Sequence, residues 1–486
     1  MRQKFNPQLS LGKTAISNIV IDLNSRDDIP KILMGLQYLE QDAEKRDAIL
    51  TQIEQDFGER ANLNNGAPGM SFWQVLVFGT FRLGLNCDYD RLQELANQHQ
   101  TIRAMLGHGP FDEHETYGSR TIAGNLAKLT PETLEMINWV IVSAGLDALG
   151  IDQSVPLDAR ADSSVVKTNV EYPTDAGLLN TAIRKILQLG GRAAMPYDDI
   201  RGWREFEANV DKFDKLYKRV IKLKRSNAKD EARKAKRDQE IEERYHELLD
   251  KAQHHVGRAD NLLKALGMRE YFKVKEIEVF VMHAKRQIDQ IRRRVLEGEK
   301  IPHDEKVFSF YEPHTEWIVK GKAGVPVELG LRTAFLEERH GLILTHHVME
   351  KETDDKIATF LVEKGKILHP NLSTVSFDKG FYSPDNLIVL EDQLSHVTLP
   401  KKGRLSQADK ERESSDQFVQ GRKQHPGIES AIHSLQVHGL DRCPDRGIAG
   451  FKRYVAWGIV AFNLHKLGAI LMEQERQKNE ERLEAA

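Results

Sequence analysis

Between Trp203 and Arg294 the chain has almost no glycine or proline and carries three apolar stripes at helical spacing. Phe206, Val210, Phe213, Tyr217, Val220 and Ile221 form the first. Ile241, Tyr245, Leu248, Leu249, Ala252 and Val256 form the second, and Val274, Ile277, Val281, Ile288 and Ile291 the third. Side chains three and four positions apart share one face of a helix, so each stripe has to bury against another helix. Ser226 to Gln239, almost wholly polar, separates the first two. Long helices packed as a hairpin or bundle are expected here. The patterns on either side are strand-like, which makes this stretch an insertion inside another domain.

Upstream of it the chain is helical. Ile32, Leu33, Leu36, Leu39, Ile49 and Ile53 keep helical spacing from Pro30 to Phe57, and Gly66-Ala67-Pro68-Gly69 breaks the run. Ser71 is placed to cap an apolar helix from Phe72 to Leu85, and Asp88 or Asp90 opens the next. A short third helix, Thr101 to Leu106, closes at Gly107-His108-Gly109. Two short helices after a buried one fit a helix-turn-helix, and they fit any small helical domain as well. A further helix is expected from Pro131 to Leu149.

Strands begin at Leu157, where Leu157, Ala159 and Ala161 alternate with polar residues and Asp162 faces away from Ala161. Tyr172 to Asp175 turns the chain into a helix from Ala176 to Leu189, which Gly190-Gly191 should stop. Strands are expected again at Val307 to Phe310, Trp317 to Val319, Val327 to Leu331 and Leu342 to Val348, with a turn at Lys320 to Gly324. A helix from Thr353 to Lys366 leads to a strand from Leu372 to Phe377. Asp378 stands where that strand ends, and a helix from Pro384 and a short strand from His396 follow. Glu429 lies in the first turn of a helix starting near Ile428, beside its apolar stripe, and Gly439 ends that helix. An apolar helix from Val455 to Leu467 precedes a charged tail after Met472.

Three carboxylates therefore sit on three separate elements: Asp162, Asp378 and Glu429. Taken singly each has an ordinary explanation: a half-exposed strand residue, a helix cap, a dipole-compensating acid. Taken together they suit hard divalent cations, which prefer a few oxygen ligands. Two such ions about 4 Å apart can activate an attacking oxygen and stabilise a leaving one in phosphodiester displacement.

The totals narrow the field. The net charge is −3, which speaks against a uniformly basic nucleic-acid binder but leaves local clusters at Lys215–Lys224, Arg286–Arg294, Lys401–Arg404 and Arg442–Arg453. The only cysteines, Cys87 and Cys443, exclude a disulfide framework and fit a reducing cytosol; no Cys/His run has zinc spacing. No apolar run long enough for a bilayer and no secretory signal after Met1 are read from the sequence.

Asp162 to Asp175 resembles the first-aspartate segment of DDE transposases from bacterial insertion sequences. Phe377-Asp378-Lys379-Gly380-Phe381-Tyr382-Ser383 resembles their second-aspartate segment. His425-Pro426-Gly427-Ile428-Glu429-Ser430, with His438 to Cys443 and Asn463 to Gly468, resembles the glutamate segment, and Glu312 to Ile318 and Lys320-Gly321-Lys322 also fit. The resemblance runs from about Phe72 to Gly468. It implies an α/β fold with a ribonuclease-H-like core, in which a mixed sheet is flanked by helices. The implied domains are a helical DNA-binding domain at 1–150, the catalytic domain at 151–200 and 301–470, a helical insertion at 201–300 and a charged tail at 471–486.

The family implies cutting and joining of DNA at terminal inverted repeats, with Asp162, Asp378 and Glu429 as catalytic ligands for two Mg²⁺ (or Mn²⁺) ions. Lys379, Arg422, Lys423, His425, Arg442, Lys452 and Arg453 are the candidate DNA contacts. Some relatives carry Tyr, Arg and Lys around the glutamate; the same offsets here hold Arg422, His425 and Gln436. The implied partners are transposon-end and target DNA and a second or further copy of the chain, with no membrane. The implied location is the bacterial cytoplasm, at the nucleoid. A two-metal nuclease that cuts without joining, and a non-catalytic DNA-binding descendant of a transposase, are the alternatives. A structural coiled-coil protein would explain Trp203 to Arg294 but not the strands.

Overall fold

The structure, a computed structural model, describes residues 4–5, 12–58, 69–152, 154–226, 230–319 and 326–484. The break at Gly66-Ala67-Pro68, the turn Lys320 to Gly324 and the first three residues lie outside them. The described chain divides into two compact units, 1–169 with 314–486, and 170–313.

The larger unit begins with helices α1 (Asp28–Gln41), α2 (Ala43–Gly58), α3 (Phe72–Gly84), α4 (Tyr89–Gln98), α5 (Gln100–Met105), α6 (Ser119–Leu126) and α7 (Pro131–Ala148). The helix expected over 30–57 is two helices, because Asp42 leaves helical geometry at φ −88°, ψ 99° between them. Ser71 caps α3 in a reciprocal box with Gln74, and Asp88 caps α4. A single residue, His99, joins α4 to the six-residue α5 and caps it. A helix-turn-helix needs a turn of about three or four residues. Ile102 and Met105 of α5 are buried, and the Met105 carbonyl accepts from the Trp73 indole at 2.9 Å, so α5 serves packing.

Strand β1 (Leu157–Thr168) follows, and the chain then passes through the second unit. There helices α8 (Asp175–Ala194), α9 (Phe206–Arg225), α10 (Glu231–Leu266) and α11 (Tyr271–Ile291) share one core, as the stripes require. Helix α8 runs through Gly190-Gly191. Added Cβ atoms there would collide with Trp203 and Phe206, so the glycines are packing sites and not stops. That close fit draws α8, which the sequence grouped with the catalytic domain, into the insertion. Val307 to Phe310 is not a strand: Phe310 stacks on His283 at 4.2 Å, and Ser309 Oγ accepts from the amides of Tyr311 and Glu312.

Back in the larger unit come β2 (Glu316–Val319), β3 (Val327–Glu338), β4 (Ile343–Val348), α12 (Asp354–Leu368), β5 (Leu372–Phe377), α13 (Pro384–Gln393) and β6 (His396–Thr398). Helices α14 (Gln407–Ser414), α15 (Asp416–Gln424) and α16 (Gly427–Leu435), the short strand β7 (Arg442–Cys443) and helix α17 (Gly447–Glu484) complete the chain. The sheet runs β2-β3-β1-β5-β6, with β4 also on β3 and β7 on the end of β1. Strand β1 is antiparallel to β3 and parallel to β5, and β5 is parallel to β6. The fold is thus mixed α/β, with helices on both faces of a mixed sheet. Leu157, Ala159, Ala161, Val375 and Phe377 face α7 and α12, while Val166, Leu331 and Phe335 share a core with Ile428, Ala431 and Leu435 of α16. Where the chain leaves and re-enters this unit, the buried hydroxyls of Thr168 and Thr315 meet at 2.9 Å.

The C-terminal helix extends further than expected, continuing through the charged tail to Glu484. By length and composition it is apolar enough to cross a bilayer, contrary to the sequence reading, and 72% of that window is buried within the protein. It packs against α1, α3 and α7 as the axis of the helical core. At the crossing with α1, a Cβ on Gly468 would collide with the Lys31 carbonyl.

Candidate active site

The alternation of β1 places Asp158, Arg160 and Asp162 on one face of the sheet and Ala159 and Ala161 on the other. Strand β5 is in register: Arg160 pairs with Ser376, and Ala161 with Phe377. The next step along both strands brings Asp162 beside Asp378, whose backbone is still extended at φ −74°, ψ 161°. Neighbouring strands lie about 4.8 Å apart, so these two carboxylates leave the sheet side by side. Asp378 makes no capping hydrogen bond; Ser383 caps the helix that follows. The capping explanation for Asp378 therefore fails.

Helix α16 reaches the same place along a docked path. Arg160 donates to the Gln424 carbonyl at 3.1 Å, and Ser376 Oγ meets His425 Nδ1 at 3.2 Å. A Cβ on Gly427 would collide with the Arg160 guanidinium, so only glycine lets the helix start this close to β1. Beyond the helix, Gln436 Nε2 donates to Ser164 Oγ at 3.0 Å. Glu429 is four residues after His425, one helical turn on. It is exposed, not core-facing as the sequence suggested, because Ile428 and Ala431 take the buried positions beside it.

Burial pushes Asp162 up to about 6, against the 2.7 Å hydrogen bond its Oδ1 accepts from the Ser163 amide. Asp378, then Asp354, then Glu429 push the same way by charge repulsion. The three carboxylates singled out in the sequence thus share one field, and Asp354 is a fourth member that sequence reasoning missed. In the first turn of α12 it looks like ordinary dipole compensation. Its Oδ1 is buried without a hydrogen-bond partner, and Gly380, next to the Asp378 loop, packs on its carboxylate.

The carboxylates do not form a closed ligand shell. Among the described residues, only Asp28, His438 and His465 bring three ligand atoms within 4.8 Å of one another. Four like charges repel, which opposes a closer approach of their oxygens. The donor set fits a hard divalent cation: every group is a carboxylate, and one buried oxygen lacks a partner.

The candidate DNA contacts divide into two groups. Lys379 is exposed beside Asp378, and Arg422 and Lys423 are exposed in the last turn of α15, just before α16. Arg442 is exposed on β7. Lys452 is paired with Glu350 at 2.6 Å, and Arg453 lies 4.0 Å from Asp445, so both already have acidic partners. His425 is half-buried on Ser376; burial holds its imidazole below the ordinary value, against the pull of Asp378 and Glu429. Of the three residues at the family's auxiliary offsets, His425 and Gln436 therefore dock helices on the sheet, and Arg422 alone projects outward. Neither Cys87 nor Cys443 is in a disulfide. No family model, no curated protein and no solved structure matches the chain.

Proposed function

We propose that this chain is a DNA transposase that binds terminal inverted repeats and cuts and joins DNA strands. The observation that carries the reading is geometric: the β1–β5 register sets Asp162 beside Asp378, and the Arg160–Gln424 and Ser376–His425 contacts dock the helix bearing Glu429 next to them. These acids lie far apart in sequence and act together on one carboxylate. The strand order supports it too. A first strand with an antiparallel neighbour on one side and a parallel one on the other, followed by a helix bearing the last acid, is what a ribonuclease-H-like core requires.

Asp162, Asp378 and Glu429 would hold the divalent ions, with Asp354 as a further oxygen donor. When bound, such ions lower the barrier to attack at phosphorus and stabilise the leaving oxygen. The chain's own contribution is positioning. Strands β1 and β5 fix two carboxylates by register, and the Arg160–Gln424 and Ser376–His425 contacts fix the helix that brings the third. Lys379, Arg422 and Lys423 would meet the phosphates of an incoming strand and hold it over the acids. Two transposon ends must be paired, so a dimer or larger assembly on DNA in the bacterial cytoplasm is part of the proposal.

The test is incubation of the purified chain with its element's end DNA and Mg²⁺, with cuts mapped on each strand. Asp378→Asn should abolish nicking and retain DNA binding; full activity in that variant would overturn the reading. Joining of precleaved ends to a target separates a transposase from a nuclease that only cuts.

A further inference from the structure

We infer that Asp28, His438 and His465 form a second cation site, selective for a transition metal of the zinc class and separate from the four carboxylates. No spacing in the sequence announces it, because its ligands come from α1, from the turn after α16 and from α17. Their ligand atoms nevertheless lie within 4.8 Å of one another. His465 Nε2 is 2.9 Å from Asp28 Oδ1, and the two imidazole rings are 5.3 Å apart between centroids.

The hydrogen bonds around His438 prepare it as a ligand. Its Nδ1 lies 2.8 Å from the Gly84 carbonyl oxygen, which can only accept, so Nδ1 carries the proton and Nε2 has a free lone pair. Metal-binding histidines are commonly oriented by such a bond from the second ring nitrogen. The backbone around it is fixed as well. His438 and Gly439 leave helical geometry, with Gly439 at φ 109°. The Gly439 carbonyl accepts from Tyr454 Oη at 3.1 Å, and Asn86 Nδ2 donates to the Val437 carbonyl at 3.1 Å. Both helices that supply the other ligands are anchored in the helical core.

Two imidazoles and one carboxylate suit Zn²⁺, Co²⁺ or Ni²⁺ and not Mg²⁺, which prefers oxygen alone. Three protein ligands leave a fourth position for water. All three residues are partly exposed, so an ion can enter. An ion must displace two groups from Asp28 Oδ1: Lys31 Nζ at 3.1 Å, and the proton shared with His465 Nε2 at 2.9 Å. A bound ion would clamp α1 and α17 to the turn that follows the Glu429 helix.

The test uses the full chain, stripped with chelator and titrated with Co²⁺ while the visible ligand-field bands are recorded. A saturable spectrum at a single equivalent is expected, displaced by Zn²⁺ and unaffected by excess Mg²⁺. His438→Gln and His465→Gln should each weaken binding by more than about a hundredfold, beyond what loss of an outer hydrogen bond costs. Asp28→Asn keeps the shape and an oxygen acceptor, so it should stay folded by circular dichroism and still lose affinity. Lys31→Gln should tighten binding. Absence of a saturable spectrum, displacement by Mg²⁺, or a spectrum unchanged in Asp28→Asn and both histidine variants would overturn the inference.

Discussion

Replacing Asn463 by leucine tests whether α17 completes the sheet as well as the helical core. Strand β4 pairs only with β3, so the outer side of Ile343 has no strand partner among the described residues. Asn463, fully buried, fills that place. Its Oδ1 accepts from the Ile343 amide at 2.9 Å, and its Nδ2 donates to the Ile343 carbonyl at 2.8 Å and to Asn138 Oδ1 at 2.7 Å. Leucine has similar volume and no polar atoms. It would orphan the Ile343 amide and Asn138 Oδ1, while the Ile343 carbonyl keeps its bond from Asn138 Nδ2 at 3.0 Å. Each orphaned buried group costs about 1–3 kcal/mol, so Asn463→Leu should lose roughly 2–6 kcal/mol. Urea unfolding of wild type and variant, followed by circular dichroism, measures the difference. Asn463→Asp keeps the acceptor and places a carboxylate against Asn138 Oδ1 and the Ile343 carbonyl, so it should be no better. A loss below about 0.5 kcal/mol in the leucine variant, with unchanged m-value, would refute the assignment of these bonds as structural.

Other perturbations probe other parts. Asp354→Asn should lower strand cleavage and raise the Mg²⁺ needed for half-maximal rate about tenfold, less than the loss in Asp378→Asn; an unchanged Mg²⁺ requirement would remove Asp354 from the site. Gly468→Ala forces a methyl onto the Lys31 carbonyl and should cost about 3 kcal/mol in urea unfolding; a change within about 0.5 kcal/mol would show that α1 and α17 can separate freely. Burial holds His369 and His255 down to about 4, in the larger and smaller unit respectively. A histidine with a depressed folded value contributes stability above its unfolded value near 6.5 and loses it as pH falls toward 4. Melting temperature should therefore drop across that window, and His369→Phe should flatten part of the drop.

Local signals were legible where one residue decides the outcome. Ser71 caps the helix assigned to it, and of Asp88 and Asp90 it is Asp88 that caps the next, because a side chain accepting from an amide two or three residues on is a short-range event. The alternation at Leu157, Ala159 and Ala161 set which face Asp162 uses, since a period of two leaves no other choice. What depends on distant packing was hidden. Asp354 reads as a helix-start acid until the first turn of α12 is seen against Gly380, next to Asp378. Gly190-Gly191 reads as a stop until Trp203 and Phe206 are seen against it. Val307 to Phe310 alternates like a strand, yet the contacts available to Phe310 are helical side chains. Asp28 lies hundreds of residues before His438 and His465, which themselves stand on different elements, and no motif could unite the three.

The hydroxyl contact between Thr168 and Thr315 holds together the two points where the chain leaves and re-enters the larger unit. A short peptide bridging Asn169 and His314 would close the host chain where the unit now departs. A chain shortened in that way should keep β1, β2 and β3 paired as they are, since none of their partners lies in the helical unit.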